Sequence, residues 1–165
     1  MTAIEVCRII RKAFLQVDSA LEICCLPMAD GGEGTVDAFL SALGGERKTV
    51  RVHGPLFAMH NASFGILKDG TAILEMAAAA GLPLAGKDAN PMYTTTFGVG
   101  ELIRAALDAG CRKIRVGAGG SATTDGGIGC LTALGARFTD KTGEEVPPMG
   151  CGLSRVACIN LDGLD

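Results

Sequence analysis

A glycine-rich segment, GAGGSATTDGGIG at residues 117–129, constrains the fold of this chain more than any other stretch. Six of its thirteen residues are glycine, and a glycine inside a helix or strand costs roughly 0.5–1 kcal/mol relative to alanine. The segment is therefore predicted to be a loop. It lies between a predicted strand at Lys113–Gly117 and a predicted helix at about residues 126–134. Open α/β sheets bind ligands at such loops, where a helix N-terminus offers free N–H groups to an anion.

The remaining sequence alternates between predicted helices and strands. The tetrapeptide Thr2-Ala-Ile-Glu5 is a capping-box pattern, and the apolar residues after it recur with helical spacing. Lys68-Asp69-Gly70 separates two strand-like runs and is typical of a hairpin turn. In chain order, we predict a helix at 3–16, a strand at 21–26, a helix at 36–43, strands at 47–54, 58–67 and 71–76, a helix at 98–109, a strand at 113–117 and a helix at 126–134. This order predicts an α/β fold.

Composition excludes several classes of function. The 165 residues are 48% hydrophobic, which indicates a packed core, and the apolar runs are too short to span a membrane. The N-terminus has no signal-peptide pattern, so we expect a cytoplasmic protein. A net charge of −3, no basic stripe and no tryptophan argue against nucleic acid as a partner.

Cysteine usage argues against a zinc site. The chain has seven cysteines and two histidines, with no C-x-x-C pair. Most of the cysteines lie in apolar runs, so we expect them to be small buried hydrophobic residues.

A second glycine loop, ADGGEGT at 29–35, has the same construction as the first. It follows a predicted strand and precedes a predicted helix, and it carries Asp30 and Glu33. Two such loops at the carboxyl ends of parallel strands are expected to converge on one cleft. Phosphoryl transfer uses such an arrangement, because it needs donors around the phosphates, a carboxylate for the metal and a carboxylate to accept the hydroxyl proton.

The sequence leaves several roles open. Asp125 is either a Mg²⁺ ligand or general base, or an N-terminal cap of the following helix, and both roles are compatible. Glu33 either acts in the site or places a favourable charge in the first turn of a helix. The glycines of 117–129 either approach a ligand or only permit close packing of helix and strand. The segment has neither the Walker A ending nor the G-x-G-x-x-G spacing.

Four motifs together resemble the bacterial glycerate kinase family. They are LPMADGGEGT, ILEMAAAAGLPL, NPMYTTTFGVGELIRAALDAG and GAGGSATTDGGIGCLTALGARF, in this order. The resemblance implies ATP-dependent phosphorylation of glycerate, with 2-phosphoglycerate as the product in most members and Mg²⁺ as the metal. It also implies a Rossmann-like or flavodoxin-like sheet with a smaller mixed α/β unit. We assign 1–46 and 92–165 to the first part and 47–91 to the second.

The motifs and the resemblance together predict a set of site residues. Asp30 and Asp125 are the expected catalytic carboxylates, and Asp125 is also the candidate Mg²⁺ ligand. The expected substrate-binding or nucleotide-binding residues are Gly31, Gly32, Glu33, Thr95, Thr96, Gly119, Gly120, Ser121, Thr123 and Gly126.

The chain also departs from the family pattern. Family members begin with a strand and an Asp-Ser-Phe-Lys segment and are about twice as long, so the chain resembles an N-terminal half without that first strand and lysine. Within the motifs, Ala80 replaces a serine, Phe97 a tyrosine, Val99 a threonine and Thr124 an asparagine. Arg104 and Lys113 are the nearest basic residues to the motifs, and neither is placed to substitute for the lysine. We expect a homo-oligomer or a complementing C-terminal half as the protein partner.

Two other classes of function compete with the kinase. The fold could persist as a binding or assembly module without catalysis. A nicotinamide-dependent oxidoreductase would use the 117–129 loop to bind pyrophosphate. However, this chain lacks the acidic residue that the dinucleotide-binding fingerprint requires after a strand about 20 residues downstream.

Overall fold

The computed structural model describes residues 1–87 and 89–164. The helices are α1 (Ala3–Val17), α2 (Thr35–Leu43), α3 (Met76–Ala80), α4 (Leu82–Ala85), α5 (Phe97–Asp108) and α6 (Ile128–Ala133). The strands are β1 (Gly45–His53), β2 (Met59–Leu67), β3 (Thr71–Glu75), β4 (Lys113–Gly117), β5 (Arg137–Thr139) and β6 (Cys158–Asn160). Short 3₁₀ helices lie at Pro91–Tyr93 and Gly150–Arg155. No helix in the described part of the chain is long and apolar enough to cross a membrane.

A four-stranded mixed sheet forms the centre of the structure, in the order β1-β2-β3-β4. The β1–β2 and β2–β3 pairs are antiparallel, and β3 pairs with β4 in parallel. The turn between β2 and β3 is closed by a hydrogen bond from Gly70 N–H to Leu67 O, as the hairpin signal predicts. The separate β5–β6 pair is antiparallel. The predicted α/β class is confirmed.

Helices cover both faces of the sheet because the strands alternate their apolar side chains between the two faces. On one face, Phe64 of β2 and Leu74 of β3 pack in a core cluster with Leu102 of α5. On the other face, Ile73 of β3 packs with Val36 of α2. The parallel pair β3–β4 therefore lies in a layered α/β arrangement, with its carboxyl ends free to support loops.

The helix α1 begins as the capping box predicts. The Thr2 side chain accepts a hydrogen bond from Glu5 N–H, and the Glu5 side chain accepts one from Thr2 N–H. However, α1 buries none of its residues. Its contribution to the folded core is therefore small.

The predicted strand at 21–26 is wrong. These residues form an irregular segment that returns along α1, and Leu21 and Leu26 are 42% and 71% exposed. Strand propensity alone does not form a strand, because a strand also needs a partner edge and a face to bury. In the described part of the chain, this segment pairs with no strand and buries none of its residues.

The expectation that most cysteines are buried is also wrong. Cys111 is the only one that is buried among the described residues. Three are exposed, namely Cys24, Cys25 and Cys158, and the other three are partly buried. An apolar sequence neighbourhood did not predict burial in segments that lie outside the sheet.

The division of the chain into 1–46 with 92–165 and a smaller unit at 47–91 stays a prediction. In this structure the two parts share one sheet, since β3 lies in the range 47–91 and pairs with β4, which lies in the range 92–165.

Candidate active site

The two glycine loops are in direct contact at the carboxyl end of the parallel strand pair. Gly119 N–H donates to Gly31 O at 3.0 Å. A Cβ atom on Gly117 would lie 2.4 Å from Gly31 O, and one on Gly119 would lie 2.6 Å from Gly32 N. Side chains at these two positions would therefore separate the loops. The sequence predicted that the loops converge on one cleft. This contact shows that the loops meet, and a shared cleft stays a prediction, because the cleft beside the 117–129 loop is lined by no residue of 29–35.

The 117–129 loop is also fixed to the segment after α3. Gly120 O accepts a hydrogen bond from Leu82 N–H at 3.0 Å, and Ala80 O accepts one from Ala122 N–H at 2.8 Å. Gly120 has a φ of +72°, a left-handed conformation that glycine adopts without strain. The first half of the loop therefore has a defined backbone before any ligand binds.

Asp125 is the buried anchor of the second half of the loop. Its side chain is almost fully buried, with the residue 1% exposed. Oδ2 accepts hydrogen bonds from Thr96 N–H and Oγ1–H, both at 2.8 Å, and from Gly129 N–H at 3.2 Å, while Oδ1 accepts from Gly127 N–H at 3.0 Å. The carboxylate thus joins the start of α5 to the first turn of α6. This geometry favours the capping alternative over direct Mg²⁺ ligation, because four donors already surround the two oxygens.

Thr95 and Thr96 are also engaged inside the protein. Thr95 Oγ1 donates to Pro148 O at 2.5 Å, and Thr96 Oγ1 accepts from Cys130 N–H at 2.9 Å in addition to its bond with Asp125. Both residues are buried. Their hydroxyls hold the α5 N-terminus against the loop, so we assign them a positioning role in the site.

Ser121 and Thr123 are more accessible. Their hydroxyl oxygens lie 2.9 Å apart, and Thr123 N–H donates to Ser121 Oγ at 3.2 Å. Within the described part of the chain, the N–H groups of Gly120, Ser121 and Gly126 have no acceptor. These groups and the two hydroxyls are the donors that the loop can offer to an anion.

Asp30 and Glu33 lie on the other loop and are both exposed. Asp30 Oδ1 accepts from Gly32 N–H at 3.0 Å, which leaves its second oxygen accessible. Glu33 lines a cavity of about 350 Å³ between this loop and the start of α1. Thr35, at the start of α2, closes the loop by donating from its hydroxyl to Gly32 O at 2.7 Å.

Glu75 is a site residue that the sequence reasoning missed. It ends β3 opposite Gly117, and its Oε1 accepts a hydrogen bond from Val36 N–H in the first turn of α2 at 2.6 Å. Glu75 therefore fixes the end of the 29–35 loop to the sheet. The signal was available, because an acidic residue at the carboxyl end of a buried strand is a site candidate by the same rule that selected the two loops.

An open cleft of about 460 Å³ lies between α5, α6 and the second half of the 117–129 loop. Its apolar wall includes Val99, Ile103 and Val116, and its polar rim includes Ser121 and Thr123. None of the described residues that line it is lysine or arginine. The described residues also contain no group of three or more His, Cys, Asp or Glu side chains that could hold a metal.

The four departures from the family pattern have different environments. Ala80 and Val99 are buried in the main core cluster, so a missing hydroxyl there leaves no unpaired group. The Phe97 ring packs edge-on against the His53 ring, with centroids 5.4 Å apart. Only Thr124 is an exposed residue at the cleft.

Cys130 lies beside Asp125 at the cleft. Burial, and to a smaller extent the negative charge of Asp125, raises the pKa of its thiol to about 11. A raised pKa keeps the thiol protonated at physiological pH, which argues against a thiolate nucleophile at this position.

Comparison with known proteins adds an independent line of evidence. The model of the glycerate kinase family matches residues 1–165. Glycerate kinase of Bacillus subtilis (strain 168) is 47% identical, and glycerate 2-kinase of Escherichia coli (strain K12) is 44% identical, each over the whole of this chain and 44% of the relative. A crystal structure described as that of a glycerate kinase 2 from Salmonella typhimurium LT2 is similar with a TM-score of 0.86 and 45% identity, over 99% of this chain and 45% of that one. The chain thus spans slightly less than half the length of these relatives.

Proposed function

This chain belongs to the glycerate kinase family, and we propose that it forms the phosphate-binding part of an ATP-dependent kinase that converts glycerate to phosphoglycerate, with 2-phosphoglycerate as the expected isomer. The observation that carries the proposal is the Gly31–Gly119 contact at the end of the parallel strand pair. It brings a loop of N–H and hydroxyl donors next to a loop with an accessible carboxylate. Such a kinase would work where ATP is made and used, in the cytoplasm.

We assign the phosphates of ATP to the 117–129 loop. The N–H groups of Gly120, Ser121 and Gly126 and the hydroxyls of Ser121 and Thr123 supply the donors, and the hydrogen bonds to Ala80 and Leu82 keep the loop backbone in place. Preorganised donors of this kind stabilise charge without reorganising during the reaction.

We assign glycerate to the 29–35 loop. Asp30 accepts the proton of the attacking hydroxyl while the hydroxyl oxygen bonds to the γ-phosphorus and ADP leaves. Gly32 N–H donates to this carboxylate, and Gly31 and Glu33 are its neighbours in the loop. Asp125 acts through its four internal hydrogen bonds, by holding α5 and α6 against the loop.

Mg²⁺ does not fit Asp125, and it would fit Asp30 only where the free oxygen of Asp30 is not acting as the base. Mg²⁺ in kinases is held by one or two carboxylates together with substrate phosphates and water, so a cluster of three protein ligands is not required. Asp30 is exposed and has one oxygen without a hydrogen bond, whereas both oxygens of Asp125 accept N–H groups. When bound, the ion would neutralise charge on the phosphates.

Binding measurements on two glycine variants test the assignment of the loop. Gly120→Ala places a Cβ at a φ of +72° and 3.3 Å from Ala77 Cβ, whereas Gly143→Ala places one at a φ of +85° in an open turn. Both substitutions cost roughly 1–2 kcal/mol of backbone strain, but only Gly120 lies in the proposed site. By isothermal titration with ATP and Mg²⁺, Gly120→Ala is expected to bind at least about tenfold more weakly than the parent, and Gly143→Ala as tightly as the parent. Equal affinities for the two variants, or no ATP binding by the parent, would remove the loop from the site.

The alternative of a binding module without catalysis is supported by one observation. None of the described residues lining the cleft is a cation, and phosphoryl transfer needs positive charge against the transferred group. ATP binding without turnover is the outcome that distinguishes this alternative from the kinase.

A further inference from the structure

Two cysteines meet where the segment after α1 returns along the helix. The Cys25 thiol lies 3.7 Å from Cys7 O and donates to it. On α1, the partly buried residues are Ile4, Cys7 and Leu15, which share one face of the helix at spacings of three and eight residues. The returning segment covers this face, since Ile4 and Pro27 line a common cavity. The Cys7 side chain therefore faces the segment that carries Cys25.

The neighbouring Cys24 differs from Cys25. Ile23 and Pro27 are the partly buried residues of the returning segment, and Cys25 lies midway between them with its thiol on α1. Cys24 is exposed and has no hydrogen bond in the described part of the chain. The adjacent residue is thus a matched control for reactivity.

Little else holds α1 in place. None of its residues is buried, and its apolar residues Ile9 and Phe14 are 57% and 56% exposed. A covalent link between Cys7 and Cys25 would close a loop with a sequence separation of 18 residues. It would tie α1 to the segment that leads directly into Asp30.

We propose that Cys7 and Cys25 form a reversible, redox-responsive disulfide. The thiolate of exposed Cys25 attacks glutathione disulfide, which releases one glutathione and leaves a mixed disulfide on Cys25. The Cys7 thiolate then attacks the Cys25 sulfur, which forms the intramolecular S–S bond and releases the second glutathione. Two cysteine thiols lose two protons and two electrons, and one glutathione disulfide becomes two glutathione thiols. Reducing conditions reverse the exchange, as for redox-sensing disulfides in reducing compartments.

Peptide mapping after oxidation tests the pairing. The full chain and its Cys24→Ser, Cys25→Ser and Cys7→Ser variants are incubated with excess glutathione disulfide, alkylated and digested with trypsin without reduction. Cys24→Ser is expected to yield peptide 1–8 linked to peptide 13–47, two hydrogens lighter than the sum of the reduced peptides, and the parent is expected to yield the same link with the alkyl or glutathione adduct of Cys24 added to that mass. Cys25→Ser and Cys7→Ser are expected to yield no such link. A link that persists in Cys25→Ser, a parent that stops at the mixed disulfide, or a parent that stays reduced would overturn the proposal.

Hydrogen exchange provides the second readout. Oxidised Cys24→Ser is expected to exchange its α1 amides more slowly than the reduced form, and dithiothreitol is expected to restore the faster rate. Cys25→Ser is expected to show the same rate under both conditions. An oxidised, linked protein whose α1 amides exchange as fast as in the reduced protein would show that the disulfide does not tie α1 to the returning segment, which contradicts the proposed effect of the link.

Discussion

At the scale of single residues, the arrangement of the 117–129 loop depends most on the buried carboxylate of Asp125. A carboxylate accepts hydrogen bonds and donates none, which suits a position where Thr96, Gly127 and Gly129 all present N–H groups. The sequence allowed the capping role but could not select it, because Thr96 lies 29 residues away and meets Asp125 only through tertiary packing.

Exchanging this carboxylate for an amide is expected to destabilise the protein. Asp125→Asn turns one acceptor oxygen into an NH₂ group that faces N–H donors, so buried donors lose their partner at a cost of about 1–3 kcal/mol. Asp108→Asn, at the exposed end of α5, is the matched control and is expected to change the free energy of unfolding by less than about 0.5 kcal/mol. Urea denaturation of both variants measures the difference. Equal stabilities would show that the Asp125 contacts contribute nothing to the fold.

Cys130 gives a pH-dependent prediction. Its pKa is raised from 9.0 to about 11, first by burial and then by the charge of Asp125. Because the unfolded thiol ionises at lower pH than the folded one, the free energy of unfolding is expected to fall as pH rises from about 9 to 11. Cys130→Ala is expected to show a smaller decline over the same range in urea denaturation. Alkylation by iodoacetamide at pH 8.5 is expected to be slower at Cys130 than at exposed Cys158, and similar rates at the two would contradict the raised pKa.

At the scale of helices and strands, the sequence correctly predicted the features that depend on interactions between residues close in the chain. The capping box set the start of α1, and the Lys68-Asp69-Gly70 turn set the hairpin. The prediction of a strand at 21–26 was wrong because a strand needs the edge of a neighbouring strand, and the local sequence does not show whether such an edge is present. The contact between the glycine loops was predicted from a premise that holds for only one of them, because the 117–129 loop follows β4 whereas no strand precedes the 29–35 loop. The pairing of Glu75 with α2 was not, because it joins residues 39 positions apart.

The hydrogen bond from Val36 N–H to Glu75 is expected to stabilise the packing of α2 against β3. Glu75→Ala removes the acceptor of Val36 N–H and is expected to lower the free energy of unfolding by about 1–3 kcal/mol, whereas Glu75→Gln keeps an oxygen and loses less. Amide hydrogen exchange over residues 29–37 is expected to accelerate in Glu75→Ala. Glu46→Ala on β1 is the control, because its ion pair with Lys48 is exposed and such pairs contribute at most about 1 kcal/mol. An unchanged exchange rate in Glu75→Ala would show that Glu75 does not hold the loop.

At the scale of the whole molecule, the described part of the chain has its sheet, its main core and both glycine loops in place, but it also has surfaces with little cover. The apolar side chains on one face of α1 are largely exposed, and β4 pairs only with β3 in the described sheet. The relatives that match the entire chain extend beyond it, since the match covers only 44% of their length. The family could be predicted from four motifs because they lie within this chain. A source of positive charge at the cleft could not be predicted from these motifs, and none of the described residues that line the cleft is lysine or arginine.

The chain contains the family motifs, but no lysine or arginine lines its described cleft, and this contrast predicts its activity. With ATP, Mg²⁺ and D-glycerate, the 165-residue chain alone is expected to release ADP at no more than a trace rate, because the described cleft offers N–H and hydroxyl donors but no lysine or arginine to stabilise the transferred phosphoryl group. Extending the chain with the segments of a relative that lie outside the match, together with the N-terminal strand and lysine that the family resemblance implies, is expected to restore turnover. The control is the same extended protein with Gly120→Ala, which is expected to lose turnover if the loop of this chain binds the phosphates. Full turnover by the 165 residues alone would show that this part of the family fold contains the whole catalytic apparatus, whereas an extended protein that binds ATP but stays inactive would favour the binding module.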